Sequence, residues 1–230
     1  MKKKLVALTG AGISAESGLA TFRASDGLWE NHRIEEVATP EGWANNPELV
    51  LEFYNQRRAA ARAAQPNAGH LALAELEQDF EVVIVTQNVD DLHERAGSSR
   101  VIHLHGQLFE ARSSHFDHLV YPMESDRIDL GELCEQGHQL RPNIVWFGEA
   151  VPLLELAAQE AATADVFLVV GTSLQVYPAA GLVDYVRRGT PIYIIDPTRP
   201  PVSSRPNLQF ITEPASVGVS QVAAKLRQQG

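Results

Sequence analysis

Short, nearly apolar runs alternate along this chain with longer stretches of helical periodicity. Leu5–Leu8, Val82–Thr86, Val101–His103, Val166–Val170, Ile192–Ile195 and Gln209–Ile211 read as strands. Several are apolar at every position, as parallel strands covered on both faces require. Helical patterns fall at Pro47–Ala64, Ala68–Gln78, Leu153–Ala162, Ala179–Arg188 and Ser216–Gln228. Pro47 suits a first helical position, with Asn46 as its cap. Strands alternating with helices predict an α/β fold, a doubly wound, mainly parallel, Rossmann-like sheet. Two stretches break the alternation. Ala24–Asn67 shows helix and loop without a strand pattern, and Gln107–Asn143 is polar, rich in histidine and without clear periodicity. Both are expected to form a smaller lobe built from two insertions. The chain then reads as one domain over 1–230, its large lobe at about 1–23, 68–106 and 144–230 and its small lobe at about 24–67 and 107–143.

Composition narrows the function classes. At 230 residues the chain has the length of one large domain, or of a main domain with an insertion. A hydrophobic share of 44% and a charged share of 21% are ordinary for a folded globular chain. The formal net charge of −10 argues against general binding to nucleic acid or anionic membranes. Cys134 is the single cysteine, which excludes an internal disulfide and any four-cysteine zinc cluster within one chain. The basic N-terminus leads into an apolar run too short for a signal peptide, and no stretch approaches a membrane span, so a cytoplasmic location is expected. Nothing in the residues calls for more than a monomer.

Chemistry enters at the first loop. Gly10-Ala11-Gly12-Ile13-Ser14-Ala15 follows the Leu5–Thr9 run directly and meets the G-x-G-x-x-(G/A) pattern before a possible helix. Gly10 is expected to permit the tight turn, and Gly12 to let main-chain amides approach a pyrophosphate. A dehydrogenase of this fold needs an acidic residue ending a second strand about 20 residues onward. Phe22–Glu30 reads instead as a polar loop, which disfavours hydride transfer.

Four further motifs accompany that loop: Thr86-Gln87-Asn88-Val89-Asp90-Asp91-Leu92-His93, His103-Leu104-His105-Gly106, Val145-Trp146-Phe147-Gly148-Glu149 and Gly171-Thr172-Ser173-Leu174. Together with the run from Gly10 to Arg23 they resemble the sirtuins, the NAD-dependent protein lysine deacylases, over about Val6 to Ala215. The residues agree on their own terms. Gln87, Asn88 and Asp90 follow a buried strand at its carboxyl end, where open α/β sheets bind ligands. Neutral amides with one carboxylate suit ribose hydroxyls and a carboxamide better than phosphate. His105 has the side chain best suited to proton transfer near neutral pH.

The resemblance implies NAD as cofactor and acyl-lysine protein or peptide as substrate. It implies attack of the acyl oxygen on the nicotinamide ribose, loss of nicotinamide, and release of free lysine with O-acyl-ADP-ribose. His105 would be the general base, while Asn88 and Asp90 orient nicotinamide and ribose. Gly10, Ala11, Gly12, Ala15, Phe22, Arg23, Gln87, Gly171, Thr172, Ser173, Asp196 and Ala215 would contact the cofactor. Phe147, Gly148 and Glu149 would pair with the substrate main chain by strand addition. His103 stands where the family commonly has an acidic residue and is expected to be peripheral.

Tyr54 and Arg57, three apart on one helical face, resemble the Tyr-x-x-Arg signature of the desuccinylase and demalonylase branch. A guanidinium and a phenol can clamp a terminal carboxylate, and Ala15 leaves room for a longer acyl chain. Weaker deacetylation is expected. Sirtuins usually hold structural zinc with two cysteine pairs. Here Ser113, Phe116 and Gly137 occupy three of those positions and only Cys134 remains, so no zinc is expected. A substitute set of His115, His118, Cys134 and His138 is conceivable. A mono-ADP-ribosyltransferase and a non-catalytic NAD or ADP-ribose sensor are the competing readings.

Overall fold

The computed structural model describes residues 2–21, 28–29, 32–202 and 205–228. Its strands are β1 (Lys4–Thr9), β2 (Leu28–Trp29), β3 (His32–Arg33), β4 (Glu81–Thr86), β5 (Val101–His103), β6 (Gly106–Ser113), β7 (Val120–Pro122), β8 (Leu140–Ile144), β9 (Val166–Val170), β10 (Ile192–Ile195) and β11 (Leu208–Ile211). The α-helices are α1 (Ala11–Ala15), α2 (Ile34–Val37), α3 (Pro40–Asn45), α4 (Pro47–Ala63), α5 (Ala68–Glu75), α6 (Leu92–Arg95), α7 (Leu154–Thr163) and α8 (Ala215–Gln228).

Six strands form one parallel sheet in the order β11-β10-β9-β1-β4-β5. The chain winds outward from β1 through β4 to β5, then returns to β9 and winds the other way, so a topological switch point lies between β1 and β9. The apolar strand runs follow from this arrangement. Leu5 and Ala7 of β1 face a core filled by Leu73 of α5 and by Val219, Val222 and Leu226 of α8. Their neighbours Val6 and Leu8 face a second core with Ala157 and Ala161 of α7. Alternate residues from Leu5 to Leu8 thus enter opposite apolar layers, and polar side chains are confined to the strand's two ends, Lys4 and Thr9.

The helical pattern at Ala179–Arg188 becomes a 3-10 helix over Ala179–Tyr185. Its tighter pitch brings residues three apart onto one face, so Ala179 with Leu182, and Ala180 with Val183, still reach the core. No helix among the described residues is long and apolar enough to cross a membrane.

The second lobe contains a three-stranded antiparallel sheet, ordered β7-β6-β8, and the hairpin of β2 with β3. Both correct the expectation of strandless insertions. Asn46 caps α4 by accepting the Leu49 N–H, and Pro47 opens it. The helix packs Val50, Phe53 and Tyr54 against Leu108, Ile144 and Trp146. Arg58 is fully buried beside them and donates to the carbonyls of Leu108 and Asp126 and to Asn55 Oδ1. Burial pulls its pKa down to about 10.

Candidate active site

The cleft begins where the loops after β1 and β9 meet. Gly12 N–H donates to Gly171 O at 2.8 Å, and Gly10 N–H donates to Val170 O at 3.0 Å. A Cβ on Gly12 would lie 2.6 Å from Gly171 Cα, and one on Gly10 would lie 2.7 Å from Thr172 Cβ. Gly10 itself has an ordinary extended backbone, φ −131°. The glycines are therefore required by the close approach of one loop to the other. The tight turn expected at Gly10 thus needs no backbone conformation peculiar to glycine.

Behind this contact lies a buried polar network that the sequence reading did not single out. Asn88 Nδ2–H donates to Ser14 Oγ at 3.1 Å, and Ser14 O–H donates to Asp90 Oδ2 at 3.1 Å. Leu92 N–H fills the other Asp90 oxygen. His70 Nδ1 accepts the Asn67 N–H, which leaves the ring proton on Nε2, 3.5 Å from Ser14 Oγ. Deeper still, His93 Nε2 meets Thr9 Oγ1 at 2.9 Å, and Thr9 donates to Thr86. Burial raises the pKa of Asp90, lowers that of His70 to about 4, and lowers His93 well below the usual range. Both histidines are thus neutral. A signal was present in the residues: His70 stands at the third helical position after the Asn67 cap, where its side chain can reach back.

His105 follows β5 and is half-buried. Its Nδ1–H donates to Gln87 O at 3.1 Å, so the neutral ring carries its lone pair on Nε2. Burial lowers its pKa below the ordinary 6.5, only partly offset by the Gln87 contact, which keeps that nitrogen unprotonated at neutral pH. His103 is not peripheral. Its ring bridges Asn88 O at 3.2 Å and Glu94 Oε1 at 2.7 Å. Burial opposes its charge, but Glu94, the Asn88 carbonyl and Asp90 together outweigh burial and the pKa rises. Two histidines of one strand end thus hold two successive carbonyls of the loop after β4.

The remaining expected contacts spread along the same edge. Thr172 Oγ1 accepts from Gln87 Nε2 at 3.1 Å, joining the loops after β4 and β9. Ser173 and Ala15 are exposed, Ala11 is half-buried, and Ala215 is buried at the start of α8 beside Gly69. Asp196 follows β10 half-buried, and burial raises its pKa. The ends of β1, β4, β9 and β10 therefore bring glycine, amide, hydroxyl and carboxylate groups to one crevice, a donor set that fits a dinucleotide. Phe22 and Arg23 lie outside the described residues.

Tyr54 and Arg57 do share a face of α4. Tyr54 is fully buried, and its ring meets Trp29 edge-on at 6.2 Å. The Arg57 guanidinium lies 4.3 Å from the centre of the same Trp29 ring. Trp146 Nε1–H donates to Tyr54 Oη at 3.1 Å. Residues 147–149 form a turn rather than an open edge. Phe147 N–H is taken by Ala38 O and Glu149 N–H by Trp146 O, while Phe147 itself is 43% exposed. The Glu149 carboxylate points inward, to Arg141 at 2.8 and 3.2 Å, Arg112 at 3.1 Å and the Trp146 N–H at 2.8 Å.

The zinc implied by the resemblance does not fit the side chains present. Cys134 meets Ser113 Oγ at 3.4 Å, and the same oxygen accepts the N–H groups of His115 and Phe116. His115 stacks on His138 at 4.5 Å, with Phe116 edge-on to both. Among the described residues no three His, Cys, Asp or Glu side chains converge as a metal site.

Comparison with known proteins agrees with this geometry. Residues 10–178 match the Sir2 family. The chain is 54% identical over 224 residues to an NAD-dependent protein deacylase of Helicobacter pylori, covering 97% of each. A protein of the same description from Bacteroides thetaiotaomicron is 49% identical over 226 residues, covering 96% of each. Among solved structures, a Sir2 homologue in complex with NAD superposes with a TM-score of 0.89 at 43% identity, covering 99% of this chain and 91% of that one. A Sir2 protein with p53 peptide and NAD+ gives 0.77 at 31% identity, covering 100% and 94%.

Proposed function

The chain belongs to the Sir2 family, the sirtuins, and from that premise we propose that it is an NAD-dependent protein deacylase preferring succinyl- or malonyl-lysine to acetyl-lysine. NAD supplies, when bound, a glycosidic carbon that accepts the acyl oxygen as nicotinamide departs. His105 Nε2 takes the proton of a ribose hydroxyl, since its Nδ1 is committed to Gln87 O. Asn88 and Asp90 orient the nicotinamide end, held in turn by Ser14. The loops at Gly12 and Gly171 shape the phosphate side, and Asp196 accepts from a ribose hydroxyl.

The acyl preference is carried by one observation: a buried phenol and a guanidinium meet the same indole, that of Trp29, on one face of α4. A substrate carboxylate gains charge-assisted hydrogen bonds from such a pair, about 1.5–3 kcal/mol each, which an acetyl group cannot form. Arg57→Met tests it. With peptides of one sequence carrying succinyl- or acetyl-lysine, the ratio of kcat/KM values falls by about tenfold or more. An unchanged ratio refutes the clamp. The wild-type products, nicotinamide and O-succinyl-ADP-ribose, separate deacylation from ADP-ribosyl transfer, which would label protein instead.

A further inference from the structure

Trp146 stands between the substrate turn and the acyl clamp, and its surroundings are unusual for an indole that merely fills a core. It is nearly buried, at 2% exposure. Its main-chain N–H donates to Glu149 Oε2, and the Arg141 guanidinium lies 3.2 Å from its ring centre. Arg141 grips Glu149 with both terminal nitrogens, and Trp43 leans on the ring at 5.8 Å. The indole is thereby fixed by a charge pair behind it. Its one polar atom faces Tyr54 Oη at 3.1 Å.

An indole N–H can only donate, whereas a phenol has one hydrogen and two lone pairs. Tyr54 must therefore accept from Trp146. Its own hydrogen finds no acceptor among the described residues, although the ring is fully buried. We propose that Trp146 is a specificity-positioning residue: its indole N–H locks Tyr54 as an acceptor and so commits the phenol hydrogen to the terminal carboxylate of an acidic acyl chain. Arg141 and Glu149 act one step further back by holding the indole. Glu149 then serves selectivity through the turn it pins, without touching substrate. Burial raises the Tyr54 pKa, which keeps the phenol protonated and able to donate.

This inference rests on the clamp proposed above, and the experiment separates the two. Trp146→Phe keeps an aromatic ring and deletes the N–H. The ratio of desuccinylation to deacetylation in kcat/KM falls about tenfold, the worth of one hydrogen bond, chiefly through KM for the succinyl peptide. In a Tyr54→Phe background the same substitution leaves the ratio where Tyr54→Phe alone put it, because the effect runs through the phenol. Parallel loss of both activities, or an undiminished effect without the phenol, overturns the proposal. An effect of Arg57→Met without one of Trp146→Phe sinks this step and leaves the clamp standing. If Trp146→Phe fails to fold, 3-benzothienylalanine at position 146 replaces N–H by sulfur in a ring of the same shape, and the same ratio decides.

Discussion

Around the cleft of the large lobe, the loops touch main chain to main chain: Gly12 lies against Gly171, and Gly10 against Gly171 and Thr172. The smaller lobe is braced through side-chain charge instead, by Arg58 on the Leu108 and Asp126 carbonyls and by Arg141 on Glu149. The first contact is intolerant of one added carbon and involves no charged side chain. The second depends on donors that must each find an acceptor. Rigidity at one end of the substrate path is steric, and at the other it is electrostatic.

The largest test of that contrast is Gly12→Ala. The added carbon meets Gly171 Cα at 2.6 Å, so the loops must part. Unfolding stability is expected to fall by about 2–3 kcal/mol in denaturant titration, with loss of NAD-dependent turnover. A variant of normal stability would show that the loops are not held by contact. Next comes Arg58→Met, which keeps the apolar stem and strands the Leu108 and Asp126 carbonyls, while Asn55 Oδ1 keeps the Ile128 N–H. Arg58 touches no carboxylate among the described residues, so removing its charge recovers part of that loss, and a net cost of about 1–2 kcal/mol is expected. Equal or greater stability would mean that the guanidinium contributes nothing to the lobe.

The smallest effect is expected from chelation. We infer that the small lobe folds without zinc, its two turns joined by Ser113, Cys134 and the rings of His115, Phe116 and His138. Prolonged dialysis against EDTA then shifts Tm by less than about 2 °C, within 1 kcal/mol for a chain of this size. One equivalent of zinc in protein purified without a histidine tag, or collapse of Tm on chelation, overturns that inference.

The same contrast governs what could be read from the residues alone. The six parallel strands were legible nearly to the residue, because Leu5–Leu8 and Val166–Val170 are apolar at every position and only a doubly covered strand requires that. The three-stranded sheet was not. Its strands carry Arg112, Ser113, Arg141 and Asn143 as partners in polar networks, so neither an alternating nor a continuous apolar pattern survives. At the site, the motifs around Asn88 and His105 could be placed because they end strands. Ser14, His70 and His93 were missed: a buried hydroxyl or imidazole looks like a surface residue until its partner, 56 or 84 positions away, is known. His103 was misjudged for the same reason, since its partners, Glu94 and the Asn88 carbonyl, are 9 and 15 positions away. Glu149 was legible as a motif but not in its direction.

The crosswise stitching of His103 to the Asn88 carbonyl, and of His105 to the Gln87 carbonyl, bears on how such an enzyme could be inhibited. A compound wedged under residues 87 and 88, outside the cleft itself, would drag both imidazoles with the loop it lifts, and with them the Asn88 side chain proposed to hold the nicotinamide end. The imidazole proposed as proton acceptor would leave its post although nothing sits in the dinucleotide's place. Such an inhibitor would depress turnover and loosen NAD together without occupying the cleft.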